Sequence, residues 1–440
     1  MKRFSLEKLF EYFLFVFVFL LPWQTRWIIK AGQINGGVNE YLTYSLYGTD
    51  ILLVLLLVVY AVNFIKHKIQ NTKTQKELCS VFLGLVIVIF VSIFFSQDKL
   101  LALFTFFRLL LGVALIYLVI NFQDKAKLIF WFLLGLVLPS WLAVWQFLSQ
   151  STFANKWLGL ALHIPSEGGT SVIEFQTVGQ LPERWLRAYG SFDHPNILGG
   201  ALAIGLIWGI YLLVGWYEEK KLEKQRLVLY LVISSLAAGC FVSFSRGAWL
   251  GLVVGLFVFL ISLIYQKKYS QIKAWCLGVC MILVIFLFFL LPYHSLVGVR
   301  LGGEARLERK STTERIASYS EAWQLIKANT LTGVGSGNYT SALSKAIPKQ
   351  PSYFYQPTHN VFLLIFSEMG LFGFLFSISL ALVVLWKLFK KRSFIGVSIF
   401  LSLIIMMQVD HWFMSLHFGI LFVSLVFGLV SQDFFQKNNS

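Results

Sequence analysis

Charged side chains are scarce in this chain, and their scarcity excludes an ordinary soluble domain. Only 13% of the 440 residues are Asp, Glu, Lys or Arg, and 57% are hydrophobic, whereas soluble domains are about a quarter charged. The formal net charge of +16 suggests a nucleic-acid partner at first. However, the basic residues fall mostly in short clusters between long apolar runs, which indicates membrane topology and no nucleic acid.

Cysteine is also rare, and no disulfide framework or metal site is expected from it. The four cysteines lie in or beside apolar segments and are interpreted as small buried hydrophobic residues; they are Cys79, Cys240, Cys276 and Cys280. A cleavage site of small residues is missing after the first apolar run, residues 10–21. We therefore predict an uncleaved first helix instead of a signal peptide.

Long apolar runs are abundant. Crossing the hydrocarbon takes about 20 apolar residues in a helix, and twelve such runs begin near residues 10, 49, 79, 101, 127, 196, 227, 247, 272, 360, 393 and 411. We predict an all-α polytopic integral membrane protein of about twelve transmembrane helices. Residues 1–291 hold the first nine, with an outer loop at about 150–195; residues 292–358 form a large outer helical loop; residues 359–440 hold the last three and a short cytoplasmic tail.

Lys and Arg are distributed unevenly between the two predicted faces. If both termini are cytoplasmic, the inner segments hold 21 of these residues, and the short outer loops hold only Arg26, Lys30, Lys99 and Arg246. Anionic lipid and the membrane potential retain cations on the cytoplasmic side. The asymmetry therefore predicts that both termini are cytoplasmic.

The large outer loop breaks this charge trend. It carries eight basic residues, Arg300, Arg306, Arg309, Lys310, Arg315, Lys327, Lys345 and Lys349. An anionic external ligand would explain why they are kept on this side.

A helix is predicted within the same loop. The segment Ser311–Glu314 has capping-box spacing, which places Arg315 in the first turn, and an apolar stripe then follows at helical spacing, Ile316, Tyr319, Trp323 and Ile326. The segment Gly333–Gly337 is interpreted as a turn that stops this helix, since no strand precedes it as a nucleotide-binding loop requires.

Two residues at predicted helix ends are the first candidates for chemistry. Arg246 lies at the outer junction of the seventh and eighth runs, where it is either an interfacial anchor or a bidentate donor to phosphate oxygens. His359 lies where the large loop re-enters the membrane, and a neutral imidazole there can accept a proton. Asn360 or Thr358 is expected to hold the ring; the alternative is a helix-entry histidine capped by Thr358.

Arginines near other helix ends are weaker candidates. Arg315 in a first turn opposes the helix dipole, which favours a function over a solvated charge. Arg187 precedes the sixth run and is a ligand candidate. Asp193 and His194 are interpreted as capping residues before Asn196 in preference to a catalytic pair.

One arginine falls inside a predicted span. Arg108 lies about two turns from the outer end of the fourth run, and an intramembrane charge is a functional hypothesis by default. It either faces the bundle cavity and meets a lipid phosphate, or pairs with Glu368 in the tenth run.

In their order and spacing these residues resemble the O-antigen ligase and polysaccharide polymerase superfamily of bacterial envelope glycosyltransferases. The resemblance rests on four segments, Arg187–Asn196, Ser245–Ala248, Arg315–Tyr339 and Thr358–Gly370. It implies a GT-C-like fold in the bacterial cytoplasmic membrane with the active site on the outer face. The motifs do not distinguish a ligase from a polymerase or from a protein O-glycosylating enzyme.

The resemblance also implies a mechanism. Family members are similar in using a glycan carried on undecaprenyl pyrophosphate, without a nucleotide sugar, cofactor or essential metal, and in passing it to a glycan or lipid acceptor such as lipopolysaccharide. By position, Arg246 and Arg315 would stabilise the leaving pyrophosphate, and His359 would deprotonate the acceptor hydroxyl in an inverting transfer. The implied substrate-binding residues are Arg187, Arg108, Asn360, Asn196 and Glu368.

Two further expectations concern metal binding and transport. No Asp-Xaa-Asp pair occurs in the outer loops, and Asp410 with His411 is considered too isolated for a metal site. A transporter of anionic lipid-linked sugar is the alternative from another class, since it would use the same arginines without needing His359 as a base.

Overall fold

The computed structural model describes residues 6–67, 73–175, 183–303 and 305–434, and most of these are helical. The helices are, in chain order, α1 (Leu6–Leu20), α2 (Gly48–His67), α3 (Lys73–Phe94), α4 (Lys99–Ile120), α5 (Lys125–Ser149), α6 (Pro195–Glu218), α7 (Glu223–Val242), α8 (Arg246–Tyr265), α9 (Tyr269–Gly302), α10 (Arg306–Ala328), α11 (Tyr339–Ala346), α12 (Val361–Lys390), α13 (Phe394–Met407), α14 (Trp412–Ser415) and α15 (His417–Ser431).

The helices define a polytopic membrane protein, as predicted. Eight helical stretches in the described ranges are long and apolar enough to cross a membrane, namely α4 to α8, the stretch that begins with α9, α12, and α15 with the turn that follows it. The runs predicted near residues 10, 49, 79 and 393 form α1, of 15 residues, and shorter apolar stretches in α2, α3 and α13. The count of twelve therefore stays a prediction.

The prediction of an all-α chain missed three small hairpins in the connections between helices. Strands β1 (Arg26–Lys30) and β4 (Tyr44–Tyr47) pair antiparallel, as do β2 (Gln33–Ile34) with β3 (Gly37–Val38), and β5 (Val172–Phe175) with β6 (Glu183–Leu186). Their β-branched and aromatic residues suit a pleated surface. Strands of two to five residues leave no long apolar run to be recognised.

Polar caps begin several of the long helices. The side chains of Asp98, Asp124, His194, Ser245 and Asn360 accept hydrogen bonds from the first backbone N–H groups of α4, α5, α6, α8 and α12, respectively. Each cap satisfies donors that have no partner within the helix. The helix starts of α6, α8 and α12 lie at the same end of the bundle, which we call the predicted outer end.

Helix α6 forms the centre of the bundle, since 94% of the residues in its apolar stretch are buried. It packs against α5, α7, α8 and α9. Its small residues allow close approach; a Cβ on Gly199 would lie only 2.7 Å from the side chains of Ser243 and Ser245. Small residues of this kind are how membrane helices pack closely.

Helices α8 and α13 pack along one another over much of their lengths. Glycines at four-residue spacing make this possible, because Gly247 faces Val409, and Gly251 faces Met406. As a result, the N-terminus of α8 lies beside the residues that follow α13.

The prediction for the helix in the large loop is wrong about the residue at which it begins and about the face that is buried. Helix α10 begins at Arg306, so Arg315 lies in its middle, and Thr312 Oγ1 bonds to the carbonyl of Glu308 inside the helix instead of capping it. Residues 306–310 are good helix formers, which extends the helix toward α9. Ile316 and Trp323 of the expected stripe are exposed, while Ile326 is buried as expected.

The cysteines are only partly as predicted. Cys240 is buried, but Cys276 and Cys280 are exposed on α9, because an apolar helix face can point toward lipid as well as into the protein. The side chain of Cys79 lies outside the described residues.

Candidate functional site

Arg246 is held at the mouth of the bundle by a tight helix connection. Helix α7 ends at Val242 and α8 begins at Arg246, and buried Phe244 between them has φ of 48°. Arg246 Nη1 donates to the carbonyl of Arg300 at 3.0 Å, and its Nη2 lies 3.1 Å from Glu308 Oε2. The guanidinium is therefore fixed by α9 and α10 together.

A second arginine, which was not among the predicted site residues, lies beside Arg246. Arg300 is buried, donates through Nε to the carbonyl of Phe244 at 3.0 Å, and forms an ion pair with Glu308. Glu308, 3% exposed, thus bridges Arg246 and Arg300. In the sequence Arg300 was one of eight basic residues in the outer loop, with nothing to distinguish it.

A cavity of about 140 Å³ lies against these groups. Its polar lining consists of Asn196, Ser245, Arg246, Arg300, Arg315 and Asp410. We call it the arginine cavity. Within the described part of the chain Arg315 makes no ion pair, so its charge is available to a ligand.

His359 lies one residue before the N-cap of α12. Its ring is half-buried, and Nδ1 is buried without a hydrogen-bond partner. Asn360 does not hold the ring as expected, since its side chain caps α12 and donates to Gln408. Thr358 does not hold it either, because its hydroxyl lies 3.4 Å from Ser318 Oγ.

Asp410 and His411 lie beside His359, so their predicted isolation is wrong. The rings of His359 and His411 are 5.1 Å apart, and one ligand atom from each of His359, Asp410 and His411 lies within 4.8 Å of the other two. This cluster is the group of described residues that could hold a metal ion. Residues 410 and 411 follow α13, and the packing of α13 against α12 brings them beside residue 359, which precedes α12.

Burial sets the protonation of this cluster. Desolvation lowers the pKa of His359 below its ordinary value and that of His411 to about 3. Both imidazoles are therefore neutral at pH 7, and His359 has a lone pair that can accept a proton. His411 Nδ1 lies 2.7 Å from Ser415 Oγ.

Arg187 and Asn196 are joined to this cluster by a chain of hydrogen bonds that ends on Asp410. Asn196 donates to Asp410 Oδ2 at 2.7 Å and accepts from Arg187 Nη2 at 2.7 Å. Arg187 is buried, and its Nε and Nη1 donate to the carbonyl of Ser243 and to Ser171 Oγ. It does not line the arginine cavity, so the geometry favours a positioning role over the expected direct contact.

Arg108 and Glu368 lie elsewhere, around a second cavity of about 40 Å³. The Arg108 guanidinium stacks 4.4 Å from the ring of Phe104, and its Nε is buried without a partner. Glu368 accepts from the backbone N–H of Gly337 at 2.9 Å. The two residues face one cavity but form no ion pair within the described ranges.

The chain is thus a membrane protein in which several arginines and a neutral imidazole lie close together, at the end of the bundle where α6, α8 and α12 begin. Residues 229–378, about a third of the chain, match the family model described as O-antigen ligase. The match confirms the predicted resemblance to the O-antigen ligase superfamily and supports a membrane function in glycan transfer, of ligase or polymerase type. No curated protein matches the chain significantly.

Several residues of the site fall within the matched region, namely Arg246, Arg300, Glu308, Arg315 and His359, and so does Glu368 of the second cavity. Arg187, Asn196 and Asp410 lie outside it and reach the site only through the fold.

Proposed function

We propose that this protein is an O-antigen ligase-like glycosyltransferase that moves a glycan from undecaprenyl pyrophosphate to a lipid or surface acceptor on the outer face of the cytoplasmic membrane. The observation that carries the proposal is the arginine cavity together with the imidazole of His359, which lies beside Asp410 of the cavity lining. An anionic leaving group and a proton acceptor are the two requirements of such a transfer.

The arginine cavity binds the pyrophosphate. Arg246, Arg300 and Arg315 surround it, and guanidinium groups match phosphate oxygens in charge and geometry. Glu308 pairs with Arg246 and Arg300 and so fixes their orientation, while Arg315 is free to close on the ligand. Fixed donors stabilise the charge that develops as the pyrophosphate leaves.

His359 acts as the general base. The acceptor hydroxyl oxygen attacks the anomeric carbon from the face opposite the pyrophosphate, the bond from that carbon to the pyrophosphate oxygen breaks, and the hydroxyl proton passes to a nitrogen of His359. The configuration at the anomeric carbon inverts, and undecaprenyl pyrophosphate departs with the bonding electron pair. Asp410, within 4.8 Å of the imidazole, stabilises the imidazolium that results.

The remaining predicted site residues do not contact the pyrophosphate directly in this proposal. Asn360 caps α12 and sets the direction of the His359 backbone, and Arg187 orients Asn196 against Asp410. Glu368 binds the backbone of Gly337. Arg108 lines a different cavity from Arg246 and takes no part in pyrophosphate binding in this proposal.

The test is the fate of lipid-linked glycan in cells that carry His359→Ala, with undecaprenyl-linked species extracted and sized beside the surface polymer. The matched control is His294→Ala, an exposed histidine on α9. Long chains on the carrier with loss of the surface conjugate are expected for a ligase. Accumulation of single repeat units indicates a polymerase instead, and an unchanged profile at normal protein level removes the base role and supports a transporter.

A further inference from the structure

The cluster of His359, Asp410 and His411 has the composition of a metal site. Two imidazoles and one carboxylate each present one ligand atom, and these atoms lie within 4.8 Å of one another. The Nδ1 of His359 is buried and has no hydrogen-bond partner, so this nitrogen can bind a cation without losing a hydrogen bond.

We propose that this cluster binds one late transition-metal ion such as Zn²⁺, and that the bound ion blocks transfer by occupying His359. The binding site follows from the side-chain geometry alone. The inhibition rests on the proposed function, because only an enzyme that needs free His359 as a base would be inhibited in this way.

The distances fit after a small contraction. Zinc binds nitrogen at about 2.0–2.1 Å and carboxylate oxygen at about 2.0–2.2 Å, which separates neighbouring ligand atoms by roughly 3.4 Å. The present separations close to that value when the side chains move by roughly 1 Å. The side chain of His359 is only half-buried, so the proposal assigns this movement to it.

The surrounding hydrogen bonds already orient the other two ligands. His411 Nδ1 contacts Ser415 Oγ at 2.7 Å, which leaves Nε2 for the metal. Asp410 accepts from Asn196 at 2.7 Å, and this amide limits rotation of the carboxylate. Such outer contacts are a regular feature of metal sites and contribute to their affinity.

The ligand set selects the kind of ion. Imidazole nitrogen suits zinc, nickel, cobalt and copper, whereas magnesium and calcium prefer an all-oxygen shell. Three protein ligands leave the fourth position open to water or to a phosphate oxygen. Magnesium is therefore the matched negative control.

The binding test uses the full-length protein in detergent, titrated with ZnCl₂ against a chromophoric chelator. Wild type and His294→Ala are expected to bind one Zn²⁺ per chain, and His359→Ala and His411→Ala to bind it at least tenfold more weakly. His411→Gln and thermal melting of each variant separate loss of a ligand from loss of folding. Equal zinc affinity in all folded variants, or equal binding of MgCl₂, would overturn the site.

The second test measures transfer in membranes with and without ZnCl₂, followed by a chelator. Zinc is expected to reduce wild-type transfer at least tenfold, the chelator to restore it, and the transfer that remains in His411→Ala to be insensitive to zinc. The two proposals fail separately. Zinc binding to wild type with full transfer in His359→Ala keeps the metal site and removes the base role, and with it the inhibition. Lost transfer in His359→Ala without zinc binding to wild type removes the metal site alone.

Discussion

At the scale of single residues, the contacts of the arginines separate those that face a ligand from those that support the fold. Arg246 and Arg315 line the arginine cavity, whereas each of the three guanidinium nitrogens of Arg187 donates to a protein oxygen. In the sequence the arginines differ only in position. Their separate roles follow from which carboxylates and carbonyls lie within reach.

We expect Arg246→Ala to reduce glycan transfer by about 10²–10³-fold, as loss of one fixed donor to a developing negative charge does. The measurement is the rate of appearance of surface conjugate at matched protein levels. Arg306→Ala is the control, because Arg306 is an exposed residue of the same region that pairs with Glu174 away from the cavity. A similar loss in both variants would show that the effect comes from general charge and not from this site.

At the scale of elements, the glycine-rich segment Gly333–Gly337 is hydrogen-bonded to α12 at the point where that helix is interrupted. Helix α12 is interrupted at Gly370, with φ of 65°. The carbonyls of Ser367 and Glu368 just before the break accept the backbone N–H groups of Val334 and Gly335 at 2.9 and 2.8 Å. The predicted turn is present, but α10 ends at Ala328, before its first glycine. This pairing explains why the two segments occur together in the chain.

Gly335→Ala is expected to lower the melting temperature of the detergent-solubilised protein. Gly335 has φ of 97°, and a Cβ there would lie 2.0 Å from Ser96 Oγ, so backbone strain alone costs about 1–3 kcal/mol. Gly298→Ala in α9 is the control, since nothing lies within 4 Å of its Cβ position and alanine is the better helix former. Equal melting temperatures for the two variants would contradict the described packing.

At the scale of the whole molecule, the charge distribution predicts the orientation in the membrane. The arginine cavity and the connection before α12 belong to the predicted outer end, while α6, α8 and α12 end at the opposite face. The described geometry is the same in either orientation, so only labelling decides between them.

The orientation is tested with single cysteines in a background where the four native cysteines are serine. We expect Tyr353→Cys, at a 74% exposed position, to react with an impermeant maleimide on intact cells whose outer membrane, if present, has been permeabilised. Leu222→Cys, at a 72% exposed position, should react only after lysis. The reverse pattern would invert the predicted topology and place the arginine cavity on the cytoplasmic side.

Local signals in the sequence were enough to predict the class of protein and several helix starts. Hydropathy and capping are local properties, so a run of apolar residues after Asn196 or Asn360 predicts a membrane helix without knowledge of its neighbours. The order of the motifs around Arg246 and His359 was also enough to indicate a resemblance to the family, and the match over residues 229–378 confirmed that resemblance.

Which residues meet became known from the tertiary fold. Glu308 joins Arg246 to Arg300, Asp410 lies beside His359, and Arg108 belongs to a different cavity. These contacts join residues far apart in the chain and depend on which helix faces touch. Small residues and buried polar pairs set those faces, and in a chain that is apolar on nearly every side, hydropathy carries no signal to choose among them.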